Sequence, residues 1–218
     1  MAAYELVIFD LDGTLIDSVG DIADALNGAL ASVGRKPHSD AEVSRMIGSG
    51  VTELCRRALG GMPPAELLAT VEKDYRARYH AQPLRRTGLY LGVKSTLAKL
   101  ASVQKAVATN KPGDAARAIV AGLGIAEHFV AVLGEDDVGR RKPDPLIVDI
   151  LRGKIGAARA RTLYVGDSLV DADTADAARV DLGLVTYGYA DPDQIRRRRA
   201  AFHLDRFGDL VGVLQDRA

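Results

Sequence analysis

The stretch "VIFDLDGTLIDS", residues 7–18, places Asp10 and Asp12 two positions apart directly after an apolar run. Val7, Ile8 and Phe9 suit the pleated surface of a buried strand, and Asp12-Gly13 reads as a turn. Side chains at i and i+2 of a strand face one side, so both carboxylates are expected at one spot where the strand ends. Taken alone, the pair fits either a loop cap or paired carboxylate chemistry. In the second reading one carboxylate attacks a phosphoryl group, and the other moves a proton to the leaving alcohol and then from water.

Other segments carry matching groups. Thr109-Asn110-Lys111 ends a second apolar run, Lys142 lies in "RRKPDP" just before a helix start, and Asp167 and Asp171 follow a further run in "GDSLVD". Ligands of open α/β sheets gather at the carboxyl ends of the strands, which is where these residues would meet. The set suits phosphoryl transfer with Mg²⁺, a hard cation that takes oxygen ligands from one or two carboxylates and the substrate phosphate. Asp10 and Asp167 suit the metal. The Thr109 hydroxyl, the Asn110 amide and the Lys142 ammonium suit the phosphate oxygens and their developing charge. Asp10 is then the nucleophile and Asp12 the proton carrier. Lys111 reads as secondary to Lys142, and Asp136, Asp137 and Asp144 read as caps and turn residues. Each group also has a plain structural reading: Lys142 as a loop cation, Thr109 as a strand end, Asp171 as a first-turn acid.

Five apolar runs could position these groups: residues 5–9, 105–109, 129–133, 162–166 and 182–187. Helical patterns separate the later runs, with prolines and Asp opening one at 143–155 and a glycine closing another at 124. The alternation predicts an α/β fold, a Rossmann-like, doubly wound, mainly parallel sheet. Residues 17–85 break the rhythm. They show three helical stretches and no strand candidate, including Ile22, Leu26, Ala29, Leu30 and Val33 on one face and Leu68, Val71, Tyr75 and Tyr79 on another. This predicts an inserted helical domain at 17–85 and a core domain formed by 1–16 and 86–218. Within the insert, Ile47-Gly48-Ser49-Gly50 is either a helix–helix corner or a loop whose backbone N–H groups receive a substrate carboxylate at the next helix start. Arg45 beside it reads as a further anion partner or, by preference, a solvent-facing residue.

The 218 residues carry 29 Lys and Arg against 29 Asp and Glu, and 47% are apolar. That balance recruits neither nucleic acid nor an anionic membrane surface, and "RRRR" at 196–199 reads as a solvated helix face. The single cysteine, Cys55, allows no intrachain disulfide and reads as a small core residue, fitting a reducing cytoplasm. No secretory signal, membrane span or zinc-type histidine spacing is found. A monomer or homodimer is expected, with a small phosphorylated metabolite as its partner.

The segments "FDLDGTLIDS", "TNK", "RRKPDP" and "GDSLVDADTADAA" resemble, in order, the four signature motifs of haloacid dehalogenase-like hydrolases. Within that superfamily "GEDDVGRRKPDP", "YVGDSLVDADTADAA", "LVTYGYADP" and "MIGSGVTELCRRAL" are similar to the pattern of phosphoglycolate phosphatases. The resemblance covers nearly the whole chain. It implies a Rossmann-like core with a helical cap after the first motif, and Mg²⁺ held by the Asp10 carboxylate, the Asp12 backbone carbonyl and Asp167. Asp171 would be a ligand or a support of the metal site, Thr109, Asn110 and Lys142 would hold phosphate, and Gly48, Ser49 and Gly50 would face the substrate carboxylate. Two positions depart from the pattern. Arg179 stands where a glycine suits a left-handed helix end, predicting strain or another helix ending, and Leu91 stands where proline would stiffen a hinge. Rival readings on the same scaffold are a sugar-phosphate mutase, a pyrophosphatase or another small-metabolite phosphatase. A receiver-like phosphorylation switch is a rival of another class, against which the Asp10–Asp12 pair and the insert both speak.

Overall fold

Leu6, Val7, Ile8 and Phe9 have no solvent exposure, and they form β1 (Leu6–Phe9) near the middle of a six-stranded parallel sheet. The computed structural model describes residues 4–215; residues 1–3 and 216–218, the outer ends of the predicted core domain, lie outside the described residues. After β1 come β2 (Ile16–Asp17), α1 (Val19–Ser32), α2 (Asp40–Ser44), α3 (Val51–Ala58), α4 (Ala65–Ala81) and β3 (Gly88–Leu89). The chain continues through α5 (Val93–Lys99), β4 (Gln104–Ala108), α6 (Gly113–Gly122), β5 (Ala131–Leu133), α7 (Glu135–Val138) and α8 (Leu146–Ile155). It closes with β6 (Thr162–Gly166), α9 (Leu169–Ala178), β7 (Asp181–Val185), α10 (Pro192–Arg197), β8 (Phe202–Leu204) and α11 (Leu210–Gln215).

The strand order is β5-β4-β1-β6-β7-β8, and every pairing in this sheet is parallel. The expected doubly wound α/β architecture is therefore present. The chain winds outward from β1 to β5, then crosses to the other side of β1 to lay down β6, β7 and β8. Its direction of winding changes beside β1, which is where such folds open a crevice. The two-residue period divides β1 between the two faces. Val7 and Phe9 join a core that includes Leu26, Val71, Leu97, Ile119 and Phe207, whereas Leu6 and Ile8 join Val148, Leu151, Ala172 and Ala175 beneath α8 and α9. Burial on both faces explains why the strands read as continuous apolar runs.

The sixth strand, β8, was not among the expected ones. It is three residues long, lies at the sheet edge and follows a run of arginines, so no alternation marks it. The absence of strands from 17–85 also needs a correction at its border. Ile16 and Asp17 pair antiparallel with Leu89 and Gly88, in a two-stranded ribbon too short to show a period. Beside this ribbon Asp21, almost fully buried, accepts hydrogen bonds from the Arg86 and Thr87 backbone N–H groups at 2.9 and 2.8 Å and from the Thr87 hydroxyl at 2.7 Å. The two ends of the helical stretch are thus stapled together.

The helical stripes are placed as expected. Ile22, Leu26, Ala29 and Leu30 on α1 are buried with Val71, Tyr75 and Tyr79 on α4, and Leu68 and Val33 pack at the margin. Cys55 is fully buried on α3, and burial pushes its thiol up to about 12, as suits an inert core residue. Among the arginines of the basic run, Arg196 pairs with Asp205 and Arg198 with Asp173 and Asp176, all at the surface. Leu91 is exposed, directly after the ribbon.

Arg179 closes α9 at φ 56° and ψ 48°, the left-handed conformation that Cβ disfavours. The strained ending is the one realised. A non-glycine residue there costs about 1–2 kcal/mol, and part of that gain is offset by the chain entropy of glycine. Arg179→Gly is accordingly expected to stabilise the protein by about 0.5–1 kcal/mol in urea unfolding. An unchanged or lowered midpoint would show that the arginine side chain contributes a compensating contact.

Candidate active site

Asp10 lies one residue past β1 at the point where the winding reverses, and its carboxylate is nearly inaccessible to solvent. Lys142, from the loop before α8, places its ammonium 2.8 Å from Asp10 Oδ1 and 2.7 Å from Asp171 Oδ1. The Tyr164 hydroxyl, on β6, lies 3.0 Å from the same ammonium. Asp171 sits in the first turn of α9. Its other oxygen, Oδ2, receives the Asp167 N–H at 3.2 Å, the Ser168 N–H at 3.1 Å and the Ser168 hydroxyl at 2.6 Å. Both Asp171 oxygens are therefore spoken for. Asp167 receives the Thr14 hydroxyl at 3.3 Å on Oδ1 and the Tyr189 N–H at 2.8 Å on Oδ2.

Close backbone approach makes this packing possible. Gly13 has φ +83°, and a Cβ there would stand 2.3 Å from Asp167 Oδ2. A Cβ at Gly188 would stand 2.3 Å from Asp167 Cβ. Glycine at both positions lets the loops after β1 and β7 close on Asp167.

Asp10, Asp167 and Asp171 each offer an oxygen within 4.8 Å of the others, and all three are buried. One lysine faces three carboxylates, so the cluster is short of positive charge. Burial raises Asp10 from 3.8 to about 7, with Lys142 opposing and Asp171 and Asp12 adding to the rise. Burial likewise pushes Asp167 well above the usual carboxylate range, with Asp171 and Asp10 adding to it. Burial works against the Lys142 ammonium, but Asp10 and Asp171 outweigh it and hold the amine protonated. Crowded carboxylates that resist ionisation are what a hard divalent cation relieves, and Asp10 and Asp167, both pushed upward, are the two that would hold it, with an Asp171 oxygen within reach.

The carboxylate of Asp12 does not share the Asp10 spot. It turns to a second buried lysine: Lys111 Nζ lies 2.8 Å from both Asp12 oxygens, and the Ser18 hydroxyl donates to Oδ1 at 2.5 Å. The two aspartates expected on one side do open onto one cleft of about 220 Å³, but a separate cation holds each. Thr109, Asn110, Lys111, Gly48 and Gly50 line the same cleft, with Tyr75, Arg76 and Tyr79 of α4 above. Asn110 spans it. Its Oδ1 accepts the Lys142 N–H at 2.8 Å, and its Nδ2 donates to the carbonyls of Gly48 at 2.9 Å and Lys142 at 3.2 Å. The Ser49 hydroxyl accepts from Arg57 at 3.2 Å, and Ser49 is not among the residues lining the cleft. Gly50 opens α3 at φ +86°, so the loop does end on a helix start. Asp137 caps α7 and Asp136 accepts the Gly113 N–H at 2.7 Å, the structural roles expected of them.

The haloacid dehalogenase-like hydrolase model matches residues 7–185, which include all but the first residue of β1, with Asp10 and Asp167. The chain belongs to that family. It is 42% identical over 213 residues to a phosphoglycolate phosphatase of Cereibacter sphaeroides, covering 94% of this chain and 96% of the relative. A phosphoglycolate phosphatase of Pectobacterium atrosepticum is 35% identical over 219 residues, covering 98% and 94%. The crystal structure of a predicted phosphoglycolate phosphatase from Haemophilus somnus superposes with a TM-score of 0.90 at 30% identity, covering 98% of this chain and 99% of that one. The parallel sheet with Asp10 at its switch point is thus a hydrolase scaffold of this family.

Sequence reasoning underrated Lys111 and passed over Ser18, Tyr164 and Tyr189, which hold the aspartates in place. Lys111 carried a signal of its own, being two residues past Thr109 at a strand end. Tyr79 was visible only as part of an apolar stripe.

The raised Asp10 value fixes a pH dependence for the metal-free protein. A folded-state value above the unfolded 3.8 contributes stability that is fully present below about pH 4 and lost as pH rises through about 7. With chelator present, the melting temperature of Asp10→Asn is therefore expected to gain on wild type between pH 5 and pH 8. A difference that stays flat over that window would show that Asp10 ionises as an ordinary carboxylate.

Proposed function

We propose that this hydrolase is an Mg²⁺-dependent phosphatase of small phosphomonoesters, with 2-phosphoglycolate as its substrate, acting through an aspartyl-phosphate on Asp10. The observation that carries the reading is the separation of the two aspartates. Asp10, held by Lys142, opens onto the same cleft as Asp12, held by Lys111 and Ser18. One carboxylate can attack while the other moves protons, because they do not share a partner.

In the first step an Asp10 oxygen attacks phosphorus, the P–O bond to the substrate alcohol breaks, and Asp12 gives the departing oxygen its proton. In the second, Asp12 takes a proton from water as that water attacks phosphorus. The P–O bond to Asp10 then breaks, regenerating its carboxylate and releasing phosphate. Lys142 balances charge at Asp10, Thr109 offers a hydroxyl to the phosphate oxygens, and Asn110 keeps the Lys142 backbone and the Gly48 loop against them. Mg²⁺ bound by Asp10 and Asp167 would supply positive charge to the phosphoryl group and relieve the crowded carboxylates, with Asp171 fixing Asp167 and Lys142 in place.

Residues 17–85 would act as a cap over the core formed by 1–16 and 86–218, excluding bulk water during turnover. The names of the relatives and a cleft roofed by Tyr75, Arg76 and Tyr79 support a small anionic substrate. A cytoplasmic setting suits the buried thiol of Cys55. No helix among the described residues is long and apolar enough to cross a membrane.

Phosphate release is expected to be fast on 2-phosphoglycolate and at least about 100-fold slower in kcat/KM on a sugar phosphate, pyrophosphate or a nucleotide. Chelation should abolish it and Mg²⁺ restore it. Asp10→Asn is expected to remove turnover by at least about 1,000-fold with the fold retained, deamidation back to Asp being excluded by mass spectrometry. Even rates across the panel would keep the chemistry and remove the substrate. A product that retains its phosphate would instead establish a mutase.

A further inference from the structure

Lys111 is a buried cation at the junction of the reactive carboxylates and the helical roof. Its side chain is 5% exposed, both Asp12 oxygens lie 2.8 Å from its ammonium, and the ammonium sits 4.8 Å from the centre of the Tyr79 ring. Burial works against its charge, and Asp12 more than compensates. This pairing has a chemical consequence. With both oxygens turned to an ammonium and one also taking the Ser18 hydroxyl, three of the roughly four acceptor sites of Asp12 are engaged, and the ion pair fixes its orientation. In this arrangement the proton carrier is held, not poised.

A second observation points to what releases it. Tyr79 Oη, in a residue 94% buried by its 6% exposure, lacks a hydrogen-bond partner of ordinary geometry among the described residues. It belongs to the same cleft lining as Lys111, Asp10 and Asp12. A buried hydroxyl without a partner is costly unless a ligand completes it. An ammonium and an idle hydroxyl lining one cleft are the recognition groups for a carboxylate.

We propose that Lys111 selects substrates by the charge of the group opposite the phosphate, and that in binding an anionic group there it releases Asp12 for proton transfer. The inference deepens the phosphatase reading above and rests on it for the role of Asp12. The exchange keeps the buried cation paired, because one carboxylate replaces another on the same ammonium. Tyr79 Oη gains its missing acceptor in the same event, and Asp12 keeps Ser18 as its tether. A phosphomonoester with a neutral tail offers nothing to Lys111. It finds Asp12 still clamped, so it is discriminated against in the chemical step as well as in binding.

The test compares 2-phosphoglycolate with 2-hydroxyethyl phosphate, which has a neutral tail of similar length. For Lys111→Met, KM for 2-phosphoglycolate is expected to rise about 30-fold, whereas kcat on the neutral ester rises about threefold because Asp12 is no longer held. Lys111→Arg should retain the preference for the anionic ester, and Tyr79→Phe should weaken it about tenfold without unfolding the protein. Loss of activity on both esters by the same factor would make Lys111 a structural residue only and overturn the proposal. Binding measured by calorimetry on the Asp10→Asn protein gives a readout independent of turnover. There the anionic ester should bind at least about tenfold more tightly than the neutral one, and Lys111→Met added to that protein should erase the difference. Equal binding of the two esters overturns the Lys111 proposal, whatever the activity. Preserved binding preference without phosphate release from any ester would leave the anion site standing and overturn the phosphatase reading.

Discussion

The arrangement of the whole site follows from one difficulty, the burial of several carboxylates at the end of one strand. Lys142, with almost no solvent contact, is the main answer to it. Its ammonium is shared by Asp10 after β1 and Asp171 in α9, with Tyr164 of β6 completing its shell. A buried ion pair contributes little net stability, because desolvation offsets most of the attraction, yet removing one member strands the other. The interaction therefore acts as a constraint on geometry. β1, β6, α9 and the loop before α8 must meet at one point for any of these charges to be tolerated, and the parallel sheet is what makes their carboxyl ends coincide.

Within that constraint the second aspartate needed its own cation. Had Asp12 turned toward Lys142 as well, two carboxylates of one short loop would have competed for one ammonium. Gly13 and Gly188 let backbone close on Asp167, and the Asp12 carboxylate turns away from Asp10 to Lys111. The result is two half-sites with different electrostatic character. One is crowded with oxygens and short of positive charge; the other is a single ion pair under an aromatic roof.

Features governed by repeated local chemistry were legible in the sequence. Buried parallel strands are apolar throughout, helical stripes recur every three or four residues, and Asp10, Thr109, Lys142 and Asp167 each stand at a strand end or just before a helix. Features created by one contact between distant segments were not legible. The Ile16–Asp17 and Gly88–Leu89 ribbon, the Asp21 staple and the edge strand β8 are too short to show a period. The Lys111–Asp12 pair joins residues 99 positions apart, and nothing local to either indicates the other. The Arg57–Ser49 hydrogen bond is another such contact, since nothing local to the loop indicates the arginine on the next helix.

The helical stretch is also fastened unequally, at its joined ends and at the cleft mouth, and this bears on how a cleft beneath it can admit a ligand. Near the ribbon, Asp21 is buried and accepts three backbone or hydroxyl donors from Arg86 and Thr87, bonds of the kind that contribute about 1.5–3 kcal/mol each when one partner is charged. Across the cleft mouth the ties are Asn110 to the Gly48 carbonyl, Arg141 to the Thr52 hydroxyl, and Arg76 to Glu135 at 3.9 Å. The two arginine side chains there are 43% and 40% exposed, so water can replace their partners and each pair contributes about 0–1 kcal/mol. Glu135 stays paired with Arg141, 2.6 Å away and on the same side of the cleft, when Arg76 leaves. On the proposed cap reading, strong bonds at the ribbon and replaceable ones at the mouth would put the hinge at residues 16–21 and 86–89, so that opening would separate Gly48 and Arg76 from Lys142 and its carboxylates.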